Sequence, residues 1–145
     1  MRVLVIEDGS EYFDALSRFL PSHTFDRAGS GPAAIACLAT QSYDAIYLDM
    51  CFDRAPPAEL LGDLEEAADR FNGDPVQARA FLQDHQGTYV LQALRAAGCA
   101  LPIVFSYDFT NEPRRFERLA QRYGPLDYCP EGSGPHEVAR RLAPG

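Results

Sequence analysis

Apolar residues gather into five short runs, and the stretches between them repeat at helical spacing. Arg2–Ile6 (RVLVI) is apolar after its first residue, the pattern of a strand buried on both faces of a sheet. His23–Ala28 predicts a weaker second strand, Asp44–Leu48 (DAIYL) a third, Pro102–Ser106 (PIVFS) a fourth and Leu126–Cys129 a fifth. After the first run, Ser10 is placed to cap a helix with Phe13, Leu16 and Leu20 on one stripe, ended by Pro21. Gly31-Pro32 opens a second helix to about Thr40, with Ile35 and Leu38 expected to face inward. Thr88–Ala97 predicts the helix before strand four, closed by Gly98. Thr110 or Asn111 is placed to cap the next, which reaches Tyr123, and Pro135–Leu142 predicts the last.

Strands that alternate with helices imply an α/β fold, here one doubly wound, five-stranded parallel sheet with right-handed crossovers. One segment breaks the alternation. Between Asp53 and Gln86, Leu60, Leu64, Ala67 and Phe71 recur at helical spacing until Asn72-Gly73. Asp74-Pro75-Val76-Gln77 then reads as a cap, a first-turn proline and a capping-box partner. The expectation is one domain over 1–145, with a helical hairpin inserted at about 56–86 after strand three.

Composition narrows the class. The 145 residues are 46% hydrophobic and 23% charged, ordinary for a globular domain. The opening run is too short for a signal-peptide core, and no stretch approaches the ~18 apolar residues of a membrane helix. A cytoplasmic location and no membrane partner follow as expectations. The net charge of -8 argues against direct nucleic-acid binding. Asp53–His85 carries -5 of that charge, whereas six of the thirteen basic residues lie after position 113. All thirteen are arginine. The four cysteines, Cys37, Cys51, Cys99 and Cys129, have no metal-binding spacing.

In a parallel sheet, ligands bind beyond the carboxyl ends of the strands. Glu7 and Asp8 follow strand one there, Asp49 strand three, Ser106 strand four and Glu131 strand five. Converging carboxylates repel by about 4 kcal/mol per pair at ~4 Å and an effective dielectric near 20. An all-oxygen set of this kind suits a hard cation such as Mg²⁺.

The runs VLVIED (Val3–Asp8), YDAIYLDM (Tyr43–Met50) and LPIVFS (Leu101–Ser106), in this order and spacing, resemble the receiver domains of two-component response regulators. Asp127-Tyr128 and the helix text GTYVLQALRAAG add to the match, which spans the chain except about Pro56–Gln86. The resemblance implies that Asp49 holds the phospho-acceptor position and that Glu7 and Asp8, with Asp49 and the backbone of Cys51, hold Mg²⁺. It implies a phosphate-following hydroxyl at Ser106, a switch aromatic at Tyr128, and a histidine kinase or output protein as partner.

Three departures accompany it. The usual lysine after strand five is Glu131, with no arginine within eight positions. The normally small residue after Ser106 is Tyr107, bulky enough to crowd Asp49. The inserted hairpin leaves the loop bordering the site. These favour an atypical or pseudo-receiver acting as a docking module, without enzymatic activity, over a Mg²⁺-dependent phosphoryl-accepting switch. An enzyme on a similar sheet fits less well. A phosphatase would need an aspartate two residues after Asp49, where Cys51 stands, and a phosphate cradle needs more glycine than Gly9 alone. A redox pair of Cys51 and Cys129 is a further alternative. Arg114, Arg118 and Arg122 form a basic stripe on the fourth helix of the simple alternation, near Arg140 and Arg141. Receivers use their fourth-helix and fifth-strand face for dimers and outputs, so this stripe is the expected partner face, for a homodimer among others.

Overall fold

In the computed structural model, which describes residues 1–144, β1 (Arg2–Ile6), β2 (Thr24–Ala28), β3 (Ala45–Asp49), β4 (Ile103–Ser106) and β5 (Leu126–Cys129) form one sheet. Its order is β2-β1-β3-β4-β5, and every neighbouring pair is parallel. The helices are α1 (Glu11–Phe19), α2 (Gly31–Thr40), α3 (Leu64–Asp69), α4 (Pro75–Asp84), α5 (Gln86–Ala96), α6 (Pro113–Tyr123) and α7 (Pro135–Leu142). This is the doubly wound arrangement that the alternating pattern implies, with the helical insertion after β3.

Successive strand side chains point to opposite faces, which splits the core in two. Leu4, Ile6, Ile46, Leu48, Ile103 and Phe105 pack beneath α2, α5 and α6, where Ala34, Leu91, Leu94 and Phe116 meet them. Val3, Val5, Tyr47, Val104 and Cys129 face α1 and α7 through Leu16, Leu20, Val138 and Leu142. Both faces being dry is the reason β1, β3 and β4 read as continuous apolar runs.

Several local expectations change. Ile35 does not face inward; it is exposed, and α2 meets the core through Gly31, Ala34 and Leu38. Those three share one helical stripe, and Ile35 sits about 100° around from Ala34. Close approach favours the small residues: a Cβ on Gly31 would lie 2.4 Å from Leu61 Cδ1. Helix α6 starts at Pro113 behind Glu112, not at Thr110 or Asn111, because Asp108 takes the Thr110 N–H at 2.9 Å in a separate turn. Helix α5 begins two residues early, at Gln86.

Leu60 lies outside α3, in the extended stretch after a 3-10 turn at Pro57–Glu59. The turn at Asn72-Gly73 is left-handed at both residues (φ 54° and 84°), and Asp74 caps α4 by accepting from the Val76 and Gln77 N–H groups. The Gln77 amide reaches the Asp74 side chain rather than its backbone. The α3–α4 hairpin has its own small core of Ala67, Ala78 and Leu82. Buried Gln86 ties it down, accepting from Leu61 N–H at 2.7 Å and donating to the Leu61 and Leu82 carbonyls. Ser30 donates to Glu59 at 3.0 Å, joining the insertion to the start of α2. The insertion therefore lies along the body of the domain.

Candidate functional site

β1 and β3 are neighbours in register through Ile6↔Leu48, so Glu7 and Asp49 follow side by side at the sheet's carboxyl edge. Asp49 pairs in turn with Ser106 of β4. Strand parity turns Glu7, Asp49 and Ser106 to the same face, the one covered by α1 and α7.

Glu7 is buried, and its carboxylate caps α1. Its Oε1 accepts the Tyr12 N–H at 3.2 Å and its Oε2 the Phe13 N–H at 2.7 Å. These are orphan donors of the first helical turn. The expected cap, Ser10, makes no such bond and donates instead to Asp14 at 3.0 Å. Burial pushes the Glu7 carboxyl above its ordinary range, against the lowering effect of the two N–H donors.

Asp8 is held by Arg54, from the segment between β3 and α3. The Arg54 N–H donates to Asp8 Oδ2 at 2.7 Å, and its guanidinium stands 3.5 Å from Oδ1. The same guanidinium is bidentate on Glu11, at 2.7 and 3.0 Å. That fork pulls the Glu11 carboxyl down to about 2. Arg27 of β2 donates to the Glu7 and Gly9 carbonyls at 3.1 and 2.8 Å, fixing the β1–α1 loop.

Asp49 accepts the Met50 N–H at 2.9 Å. Burial is the main force pushing its carboxyl up to about 7; the Met50 N–H opposes it, and the charges of Asp8, Glu7 and Glu131 add to it. A group so placed is about half protonated at neutral pH. Ser106 Oγ is buried and makes no hydrogen bond, although the hydroxyls of Tyr12 and Tyr47 lie nearby. Helix α5 closes on the site from the other side, with the Gly87 N–H donating to the Met50 carbonyl at 2.8 Å.

No family model and no curated protein matches the chain. Solved structures do. The response regulator domain of Thermotoga maritima CheB aligns over 98% of this chain and 92% of its own, at TM-score 0.63 and 15% identity. The receiver domain of Francisella response regulator 1452 aligns over 97% and 92%, at 0.61 and 17%. Chemotaxis response regulator CheY4 of Vibrio cholerae aligns over 98% of both chains, at 0.61 and 14%. This is the receiver fold.

Within the receiver fold, the pocket of this chain has its own chemistry. Among the described residues, no three His, Cys, Asp or Glu side chains are grouped to hold a metal ion. The donor set explains this. Both Glu7 oxygens serve the α1 N–H groups, both Asp8 oxygens face Arg54, and Asp49 Oδ1 takes its neighbour's N–H. Asp49 Oδ2 is left as the one oxygen of these three carboxylates without a partner, too few for Mg²⁺ while Arg54 holds Asp8. The Cys51 thiol, on an exposed residue, donates to Asp84, and partial desolvation with the neighbouring Asp53 and Asp84 charges pushes it up to about 11. Cys129 is buried in the α1/α7 core, and all four cysteines are free. No disulfide joins Cys51 and Cys129.

Tyr107 lies on the opposite sheet face from Asp49, by the same strand parity. Its hydroxyl donates to Glu112, and Arg115 joins them while reaching His85 Nδ1 at 3.3 Å. Tyr128 belongs to an aromatic cluster, its ring 4.9 Å from Phe116 and 5.3 Å from Phe109. Glu131 is exposed in the turn after β5. Arg114, Arg118 and Arg122 are exposed along α6 with no ion pair among the described residues. Arg140 and Arg141 are engaged by Glu137, and Arg141 also by Asp127. Sequence reasoning missed Arg54, Arg27 and Tyr12, none of which carries a spacing signal.

Proposed function

We propose that this chain is an atypical receiver module, a pseudo-receiver whose work is signalling by docking, with Asp49 at the acceptor position and phosphoryl transfer weakened or lost. One observation carries this reading: Asp49 stands beside Glu7 and Asp8 at the sheet edge and accepts only the Met50 N–H, with no ion pair to a side-chain cation among the described residues. An incoming phosphoryl group would add negative charge beside Glu131, where receivers place a lysine. Arg54, the cation within the pocket, is committed to Asp8 and Glu11.

The docking surface in this reading is the α6 stripe of Arg114, Arg118 and Arg122 beside β5. Its unpaired guanidinium groups suit an acidic partner, an output protein or a second copy presenting its acidic insertion. The fold supports a signalling module over an enzyme. No helix among the described residues is long and apolar enough to cross a membrane.

A second reading, phosphoryl acceptance at Asp49, has one specific observation in its favour. The buried Ser106 hydroxyl beside Asp49 lacks a partner that an incoming phosphoryl oxygen would supply. Incubation with radiolabelled acetyl phosphate and Mg²⁺ separates the two. The pseudo-receiver reading expects no label on the wild type beyond that on Asp49→Asn. Label that Asp49→Asn abolishes would overturn it in favour of the second.

A further inference from the structure

We infer that Arg54 is the resident cation of the acidic pocket, a built-in guanidinium that occupies Asp8 and makes the pocket independent of divalent metal. The inference stands apart from whether Asp49 accepts phosphate, because it concerns only what neutralises the acids.

Four features of the site lead to it. The Asp8 side chain is 2% exposed, and both of its oxygens face Arg54: the backbone N–H at 2.7 Å and the guanidinium at 3.5 Å. A buried carboxylate is tolerated only when paired, and this pair meets that need. The far side of the guanidinium is saturated by the bidentate bond to Glu11, so the arginine is fixed in place.

The backbone leaves room for it at one residue. A Cβ on Gly9 would lie 2.2 Å from an Arg54 Nη and 2.6 Å from its Cζ, so the guanidinium rests against the bare glycine of the β1–α1 loop. Glu7, the other acid of the loop, has both oxygens committed to the first turn of α1. A divalent ion would therefore have to displace Arg54 from Asp8 and approach a fixed positive charge.

The cation also comes from a telling place. Arg54 lies just ahead of the inserted hairpin, and Ala55 next to it is buried in the α2/α5/α6 core. The Glu59–Ser30 and Leu61–Gln86 bonds anchor the same strand of chain. The chain that leads into the insertion thus supplies the pocket's counter-charge.

Titration with Mn²⁺, watched by paramagnetic broadening of backbone amide signals, tests this on the whole chain. The wild type should show no saturable broadening centred on Asp8 and Asp49. Arg54→Ala and Arg54→Gln should gain it, with at least about tenfold tighter binding than the wild type. Adding Asp8→Asn to either should abolish the gain. The amide spectrum of each variant reports its folding, and Arg54→Gln keeps most of the side-chain stem should Arg54→Ala unfold. Saturable Mn²⁺ broadening of the wild type at Asp8 and Asp49 would overturn the inference, whatever the variants do. So would folded Arg54 variants that bind Mn²⁺ no better than the wild type. Label from acetyl phosphate on a wild type that binds no Mn²⁺ would leave this inference standing while the pseudo-receiver reading failed.

Discussion

Asp49 and Ser106 stand in register at the carboxyl ends of β3 and β4, and the Ser106 hydroxyl, fully buried, bonds to nothing. A buried polar group without a partner costs about 1–3 kcal/mol. Ser106→Ala should therefore leave stability unchanged or raise it by up to about 1 kcal/mol, read from urea unfolding midpoints. A loss of stability would mean that the hydroxyl has a partner in the folded chain.

The Asp49 carboxyl has a pKa of about 7 in the fold against 3.8 when free. Between those values the folded chain binds more protons than the unfolded one, so stability falls as pH rises through the window and levels off above it. Asp49→Asn removes this group's share of the dependence. The variant should match the wild type near about pH 4 and exceed it near about pH 8, with the gap growing by at most about 1.4 kcal/mol per pH unit. A gap that does not change across that range would place the Asp49 carboxyl back in the ordinary range.

Gly87 is the point at which α5 touches the acceptor strand. A Cβ there would lie 2.6 Å from the Asp49 carbonyl oxygen and 2.8 Å from Met50 Cα, both backbone atoms that cannot swing aside. Gly87→Ala should cost about 1–3 kcal/mol through overpacking and shift amide signals at Met50 and Ser106. A wild-type melting temperature with unshifted signals would contradict this contact.

Arg118 and Arg122 are exposed on α6 and carry no ion pair among the described residues. Reversing both to glutamate should abolish self-association in sedimentation runs or capture of an acidic partner, with stability changed by no more than about 0.5 kcal/mol. Unchanged sedimentation and capture would remove α6 as the docking face.

What was legible in the sequence follows from range. The central strands stood out because both faces of the sheet are covered there, which makes the runs of Val3–Ile6 and Ile46–Leu48 continuously apolar, while the edge strand β2 (TFDRA) gave a weaker signal. The strand-end acids could be placed because the sheet's edge collects them whatever the loops do. Ile35 was misplaced because apolar character alone does not fix the rotation of a helix whose contact stripe is Gly31 and Ala34. Ser10 lost the cap of α1 to Glu7, a carboxylate reaching from outside the helix. Arg54 was invisible because it meets Asp8 across 46 residues of chain, and no local pattern records such a pairing.

The central claim is that phosphoryl acceptance by the acidic pocket around Asp49 is weakened or lost. Beryllofluoride added with Mg²⁺, followed through the amide signals of Asp49, Ser106 and Tyr128, tests it most directly. The account predicts no saturable change at these three residues. A saturable, Mg²⁺-dependent shift centred on Asp49 and spreading to Ser106 and Tyr128 would contradict it.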